Sequence, residues 1–297
     1  MIRRYQRELS VALAYAALLG LLAVLAPNFF AAKNLRDLLV SNAPVLVAGV
    51  GMTLVILARH IDISIGSQYS ICGVAAGLLA QAGLPMPLVV IATLALGAGL
   101  GAVNGVLVAG LGLPSIVVTL ATMVTLHEGL RWYQEGELVR GLPAGFQWFG
   151  AGQEAGQWIV AGTALAVLVV FAWGLRYLAA GRDIYATGSD PEAARLAGVR
   201  PRRVVLAVFI NMGVLIGLAA LLNIVRFPDV DPKMGDGLEL TVIAAPDVDS
   251  HQSALPSLSD IIAPGFNGLL MLLGKLEQAP KQWPVHSPTV GQFLKIP

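Results

Sequence analysis

Long apolar runs recur along the first 245 residues, separated by short polar or Gly/Pro-rich connectors such as Gly83-Leu84-Pro85 and Gly112-Leu113-Pro114. A helix that crosses the hydrocarbon core needs about 20 predominantly apolar residues. Seven stretches meet or approach that length: residues 10–30, 38–58, 68–84, 86–111, 113–130, 158–178 and 204–225. The pattern predicts an all-α fold, a polytopic transmembrane helical bundle of about seven spans occupying residues 1–245. Residues 246–297 differ in kind. They open on Pro246-Asp247-Val248-Asp249-Ser250, repeat proline, and hold no apolar run longer than 266–273, too short to span. Two readings fit this second region: a polar, Pro-rich tail that does not cross the membrane, or an end that has been truncated or replaced by a shift of reading frame.

Charge gives the bundle a direction. Cytoplasmic loops carry an excess of Lys and Arg. Arg3, Arg4 and Arg7 precede the first apolar run, and its length suits an uncleaved spanning helix rather than a signal peptide. With the N-terminus in the cytoplasm, seven crossings also place Arg176, Arg182, Arg195, Arg200, Arg202 and Arg203 inside. One crossing more or fewer would strand those six arginines on the wrong face.

Composition supports lipid contact. Only 12% of the 297 residues are charged, against 56% hydrophobic, while soluble domains carry about 25% charged residues. The net charge of +1 offers no basic field for nucleic acid. The one cysteine, Cys72, excludes a disulfide framework within the chain and reads as a small packed apolar residue. His60, His127, His251 and His286 are scattered without ligand spacing, so no metal site is expected. No Gly-Lys-Ser or Gly-Lys-Thr phosphate loop, Gly-x-Ser-x-Gly elbow or His-Glu-x-x-His helix occurs, so no catalytic residues are assigned.

The polar residues within the apolar pattern fall into three groups. Gly97, Gly101 and Gly105 recur every four residues on one face of the fourth span, a spacing that lets another helix approach closely. Asp62 and Ser64 stand between the second and third spans, and Asn104 sits among the glycines. Asp62 and Ser64 fit a solvated cap on the third helix or a helix break at membrane depth, where ionisable groups mark function. Asn104 fits interhelical glue or a place on a polar substrate path. His127 and Glu128, near the expected end of the fifth span, read as interfacial residues. The third group is Asp190-Pro191-Glu192-Ala193-Ala194-Arg195-Leu196-Ala197-Gly198. Asp190 suits an N-cap, Pro191 the first helical position, Glu192 the positive end of the dipole and Gly198 the stop. A short helix over about 191–197 is therefore expected in the cytoplasmic loop.

These residues resemble the permease subunit of bacterial ABC importers in the ribose, xylose and rhamnose branch. Ile61-Asp62-Ile63-Ser64-Ile65-Gly66-Ser67 is similar to the family's Ile-Asp-Leu-Ser-Val-Gly-Ser. Gly101-Ala102-Val103-Asn104-Gly105 is similar to its Gly-x-x-Asn-Gly, and Leu113 to Thr122 to its Pro-x-Phe-Ile-x-Thr-Leu-x-Thr. The stretch from Gly181 to Val199 looks like its cytoplasmic coupling loop, and the N-terminal residues look most like rhamnose-type permeases. The resemblance implies a type II importer-like bundle in the bacterial inner membrane that binds no cofactor itself. It further implies partner ATPase subunits that use ATP, a second permease subunit (identical or not), and a periplasmic sugar-binding protein. It assigns the contact with the ATPase to Asp190, Glu192, Ala193, Ala194, Arg195, Leu196 and Gly198. After Ala245 the chain departs from the family, which continues with a Gly-rich apolar stretch and further spans; an inactive membrane remnant is one consequence. An ion-coupled secondary transporter using Asp62 or Glu128 is the competing class.

Overall fold

The computed structural model describes residues 31–143 and 145–244. The first expected span, at 10–30, and the region 246–297 lie outside the described residues. Among the described residues the chain forms helices and no strand: α1 (Ala32–Leu57), α2 (Ile65–Gln81), α3 (Met86–Gly105, continued by a π-helical turn Val106–Gly110), α4 (Ser115–Gln134), α5 (Gln153–Tyr177), α6 (Ala179–Ser189), α7 (Pro191–Leu196), α8 (Pro201–Ile224) and α9 (Leu238–Ala244). Proline in the first helical turn, where its missing N–H costs nothing, opens α3, α7 and α8.

Among the described residues four helices are long and apolar enough to cross a membrane: α1, α3 with its π turn, α5 and α8. Two other expected spans are helices of a different character. α2 has 17 residues, about 25 Å at 1.5 Å per residue, short of a core about 30 Å thick. α4 has 20 residues but carries His127, Glu128 and Arg131 in its second half.

α8 is the axis of the bundle. Its most extensive contact is with α3, followed by α1 and α2, and Phe209, Met212, Ile216, Leu221 and Leu222 are buried along it. α5 packs mainly on α1 and leaves Leu165, Val169, Val170 and Trp173 exposed, a surface suited to lipid. In the α3–α8 contact the backbones nearly touch. A Cβ added at Gly97 would overlap the Gly213 carbonyl oxygen, one at Gly101 the Phe209 carbonyl oxygen, and one at Gly213 the Gly97 carbonyl oxygen. At Gly105 it would crowd Leu206 and Phe209. Lipid tails are as apolar as side chains, so helices in a bilayer gain little from hydrophobic burial and depend on such close packing.

One end of the bundle is tied by polar contacts between loops. Val139 and Val230 form an isolated antiparallel bridge, Trp148 N–H donates to the Val225 carbonyl at 2.7 Å, and Arg226 Nη2 donates to Ser41 Oγ at 2.9 Å. At the same end Arg36 pairs with Glu154 at 3.2 Å, joining the starts of α1 and α5.

Gly101→Ala and Gly213→Ala each force backbone apart from backbone. Each is expected to cost about 1–3 kcal/mol, the range for overpacking, read as a lowered thermal midpoint in detergent. Gly99 is exposed and meets nothing within 4 Å, so Gly99→Ala serves as the control. Equal losses from all three would refute the packing account.

Candidate functional site

Residues 58–64 interrupt the helical path between α1 and α2. Arg59 takes a left-handed conformation (φ 62°) and turns the chain. The break then runs into the bundle. Ile61 N–H donates to Ser115 Oγ at the start of α4 (3.3 Å), while Ser64 is linked through Asn104 to Thr122. Thr122 lies seven residues along α4, about 10 Å from its first residue. Non-helical backbone at such depth is tolerated only where protein or water satisfies it.

Protein satisfies it here: Ile61 N–H reaches Ser115 Oγ, the Ile61 carbonyl accepts from Thr119 Oγ1 at 3.4 Å and Ser64 N–H reaches Asp62 Oδ1, while the Ser64 hydroxyl gathers the side chains. Ser64 Oγ donates to Asp62 Oδ1 (2.6 Å) and accepts from Gln68 Nε2 (2.8 Å) and Asn104 Nδ2 (2.8 Å). One donor and two lone pairs are all a hydroxyl has, so its capacity is filled. Asp62 Oδ1 also accepts from Ser64 N–H (2.9 Å), and Thr122 Oγ1 stands 2.7 Å from Asn104 Oδ1. Asp62, Ser64, Gln68 and Asn104 are all fully buried. The solvated-cap reading of Asp62 therefore fails: Ser64 occupies the cap position with no side-chain capping bond, and the Asp62 carboxylate folds back onto it inside the protein. Asn104 ties α3 to the break and to α4.

The second cluster is an exposed helical elbow. Leu178 adopts an extended conformation (ψ 152°) and ends α5; α6 then leads into α7. The sequence pattern predicts only loop between the sixth span and residue 190, whereas Ala179–Ser189 is helical. Asp190 Oδ1 accepts from the N–H groups of Glu192 (2.9 Å) and Ala193 (3.1 Å), closing the start of α7. Gly198 follows with φ +88°. Glu192 and Arg195 pair across one turn at 2.6 Å, Ala194 is buried against the fold, and Leu196 is 84% exposed. α6 also reaches the break: a Cβ on Gly188 would overlap the Leu57 carbonyl oxygen at the end of α1.

A family model described as branched-chain amino acid transport system / permease component matches residues 34–246. The chain belongs to this permease family. It is 34% identical over 239 residues to the autoinducer 2 import system permease protein of Enterobacter sp. (strain 638), covering 80% of this chain and 70% of that one. It is also 34% identical over 242 residues to the ribose import permease protein of Escherichia coli (strain K12), covering 78% and 74%. No solved structure matches the chain. The protein is thus a multi-pass membrane permease of a family that includes sugar importers. Neither of these relatives is a rhamnose permease.

Sequence reasoning about the permease missed three members of its buried network. Gln68 stands one helical turn beyond Ser64, and Thr122 and Ser115 sit on the inward face of α4. Their signal was polarity within otherwise apolar spans, a signal that fits internal helix bonding equally well.

Ser64→Ala removes the 2.8 Å acceptor of the buried Gln68 and Asn104 amides and leaves them only the longer contacts to Asp62 Oδ2, at 3.3 and 3.5 Å. A loss of about 1–3 kcal/mol in all is expected. Asp62→Asn keeps an oxygen for Ser64 N–H and Oγ and should be milder than Asp62→Ala. Thermal unfolding in detergent ranks the three; an innocuous Ser64→Ala would show that the hydroxyl is not the hub. Asp190→Ala should cost about 1 kcal/mol of local helix stability, seen as faster amide exchange confined to Glu192–Leu196.

Proposed function

We propose that the chain is the membrane-spanning subunit of an ATP-driven importer for a monosaccharide or a related small polyol, with ribose, autoinducer 2 and rhamnose as the cargoes to test. Family membership and the named import permeases among its relatives support the class. The observation that carries the reading within the chain is the capped helix α7. It is short, it presents an exposed Leu196 beside an exposed Glu192–Arg195 pair, and Ala194 anchors it to the fold. A leucine that is 84% exposed on a stiff, capped helix is a projecting knob for a partner's pocket.

On this reading the arginine-rich end bearing α6 and α7 faces the cytoplasm, as does the N-terminus. Two ATPase subunits dock on α7 and its counterpart in a second permease subunit, identical or not. A periplasmic binding protein delivers the sugar to the other end, where the 139–148 and 225–230 loops meet. ATP is bound and hydrolysed by the partner, and this chain contributes the path. The Asp62–Ser64–Asn104 network braces the helix break beside which α6 sits, so that movement of the docked ATPase arrives at a packed, bonded joint.

The chain, co-expressed with an importer ATPase and a periplasmic sugar-binding protein and placed in proteoliposomes, is expected to take up labelled sugar only when ATP is supplied on the ATPase side. Leu196→Asp should reduce ATPase co-purification and uptake by roughly tenfold or more, the loss of an interface hot spot. Its thermal midpoint should stay unchanged, because the side chain is exposed. Uptake driven by a proton gradient with no ATPase present would refute the reading.

A further inference from the structure

α4 extends to Gln134, beyond the expected end at residue 130, and this changes the position of His127 and Glu128. His127 is twelve residues from Ser115 and seven from Gln134, about 18 Å and 10 Å from the two ends. It lies inside the helix rather than at its end. A second segment reaches the same region from the loop after α8. The chain turns back along α2, with Val230 against Gly77, Met234 against Gly73, and Gly235 against Gly66, where the two backbones touch. Gly235 N–H donates to Ser70 Oγ at 3.1 Å. The path from Gly77 to Gly66 covers eleven residues of α2, a descent of about 16 Å.

Where this returning segment faces α4 there is a cavity of about 260 Å³. Ser67 of α2, then Met123, Val124, His127 and Glu128 of α4, line one side, and Asp236 with Glu239 lines the other. His127 bridges them, with Nδ1 3.3 Å from Glu128 Oε1 and Nε2 3.5 Å from Asp236 Oδ1. The side chains of His127, Glu128 and Asp236 are 46%, 57% and 51% exposed. Half-exposed ionisable groups at this depth are expensive in hydrocarbon and belong to a water-filled space. The non-helical turn beside them is met on its α2 side by protein, where Gly235 N–H donates to Ser70 Oγ.

We propose that this cavity is a hydrated contact point for sugar on the translocation path, an assignment that rests on the importer reading above. Carboxylates accept hydrogen bonds from hydroxyls, the imidazole can donate or accept, and Met123 and Val124 offer an apolar wall to the C–H face of a ring. The acids surround the space instead of converging on one point: among the described residues no three acidic, histidine or cysteine groups stand close enough to hold a metal ion. That spread suits a neutral ligand with hydroxyls around its rim better than a bare cation.

The test uses the full chain in native membranes with its cysteine removed by Cys72→Ser. Asp236→Cys and, separately, Val124→Cys are exposed to a charged, water-soluble methanethiosulfonate, with Val169→Cys on the exposed face of α5 as the reference. The two cavity positions are expected to react and the reference to stay unreacted. D-ribose or L-rhamnose should slow the cavity reaction, by about twofold when the sugar is at its dissociation constant. No reaction at both cavity positions, a rate unchanged by both sugars, or slowing by Na⁺ or K⁺ instead, each overturns the proposal. Sugar protection without ATP-driven uptake would sink the importer reading and leave the cavity standing; uptake with an unreactive cavity would do the reverse.

Discussion

The contact between α3 and α8 sets the terms for everything else in the bundle. In lipid the hydrophobic effect does not draw helices together, and dispersion between closely packed atoms must do so. Gly97 and Gly101 on α3 and Gly213 on α8 bring the two backbones within van der Waals reach. Once α8 is held there, α1 and α2 pack on its remaining sides. The same approach carries Asn104, one turn beyond Gly101, to the level of the helix break. A wider helix separation would leave its amide without Ser64.

The break obeys the complementary constraint. A bilayer offers nothing to hydrogen-bond an interrupted helix, so the interruption must bring its own partners. Asp62, Gln68 and Asn104, from α2, its preceding turn and α3, converge on the Ser64 hydroxyl, which has no capacity to spare, and Asn104 passes the link on to Thr122 of α4. The network therefore fixes one arrangement of three helices at once. Within it Gln68 Oε1 is buried without a hydrogen-bond partner, and in a low dielectric such a gap is costly.

The helices were legible in the sequence because lipid imposes long apolar runs that little else requires. The glycine face of α3 was legible too, since a four-residue spacing maps directly onto one side of a helix. The short helix after Asp190 could be read from its cap, proline and stop, all local signals. Four features could not be read. α6 is amphipathic and polar enough to pass for loop, and its helix depends on packing against α5 and α1. The role of Ser64 as hub depends on partners 4 and 40 residues away in a chain whose sequence shows residue types but not lone pairs. The depth of His127 depended on where α4 ends, and the return of residues 230–239 along α2 pairs segments about 165 residues apart.

Gly188 rests on the carbonyl of Leu57 with no side chain between them. Most contacts between helices are cushioned: a leucine or methionine changes rotamer and absorbs a shift of an ångström or so before its neighbour moves. Backbone resting on backbone has no such slack. A tilt of α6 must therefore appear, nearly undiminished, as a displacement of the end of α1, rather than being spent in rearranging side chains along the way.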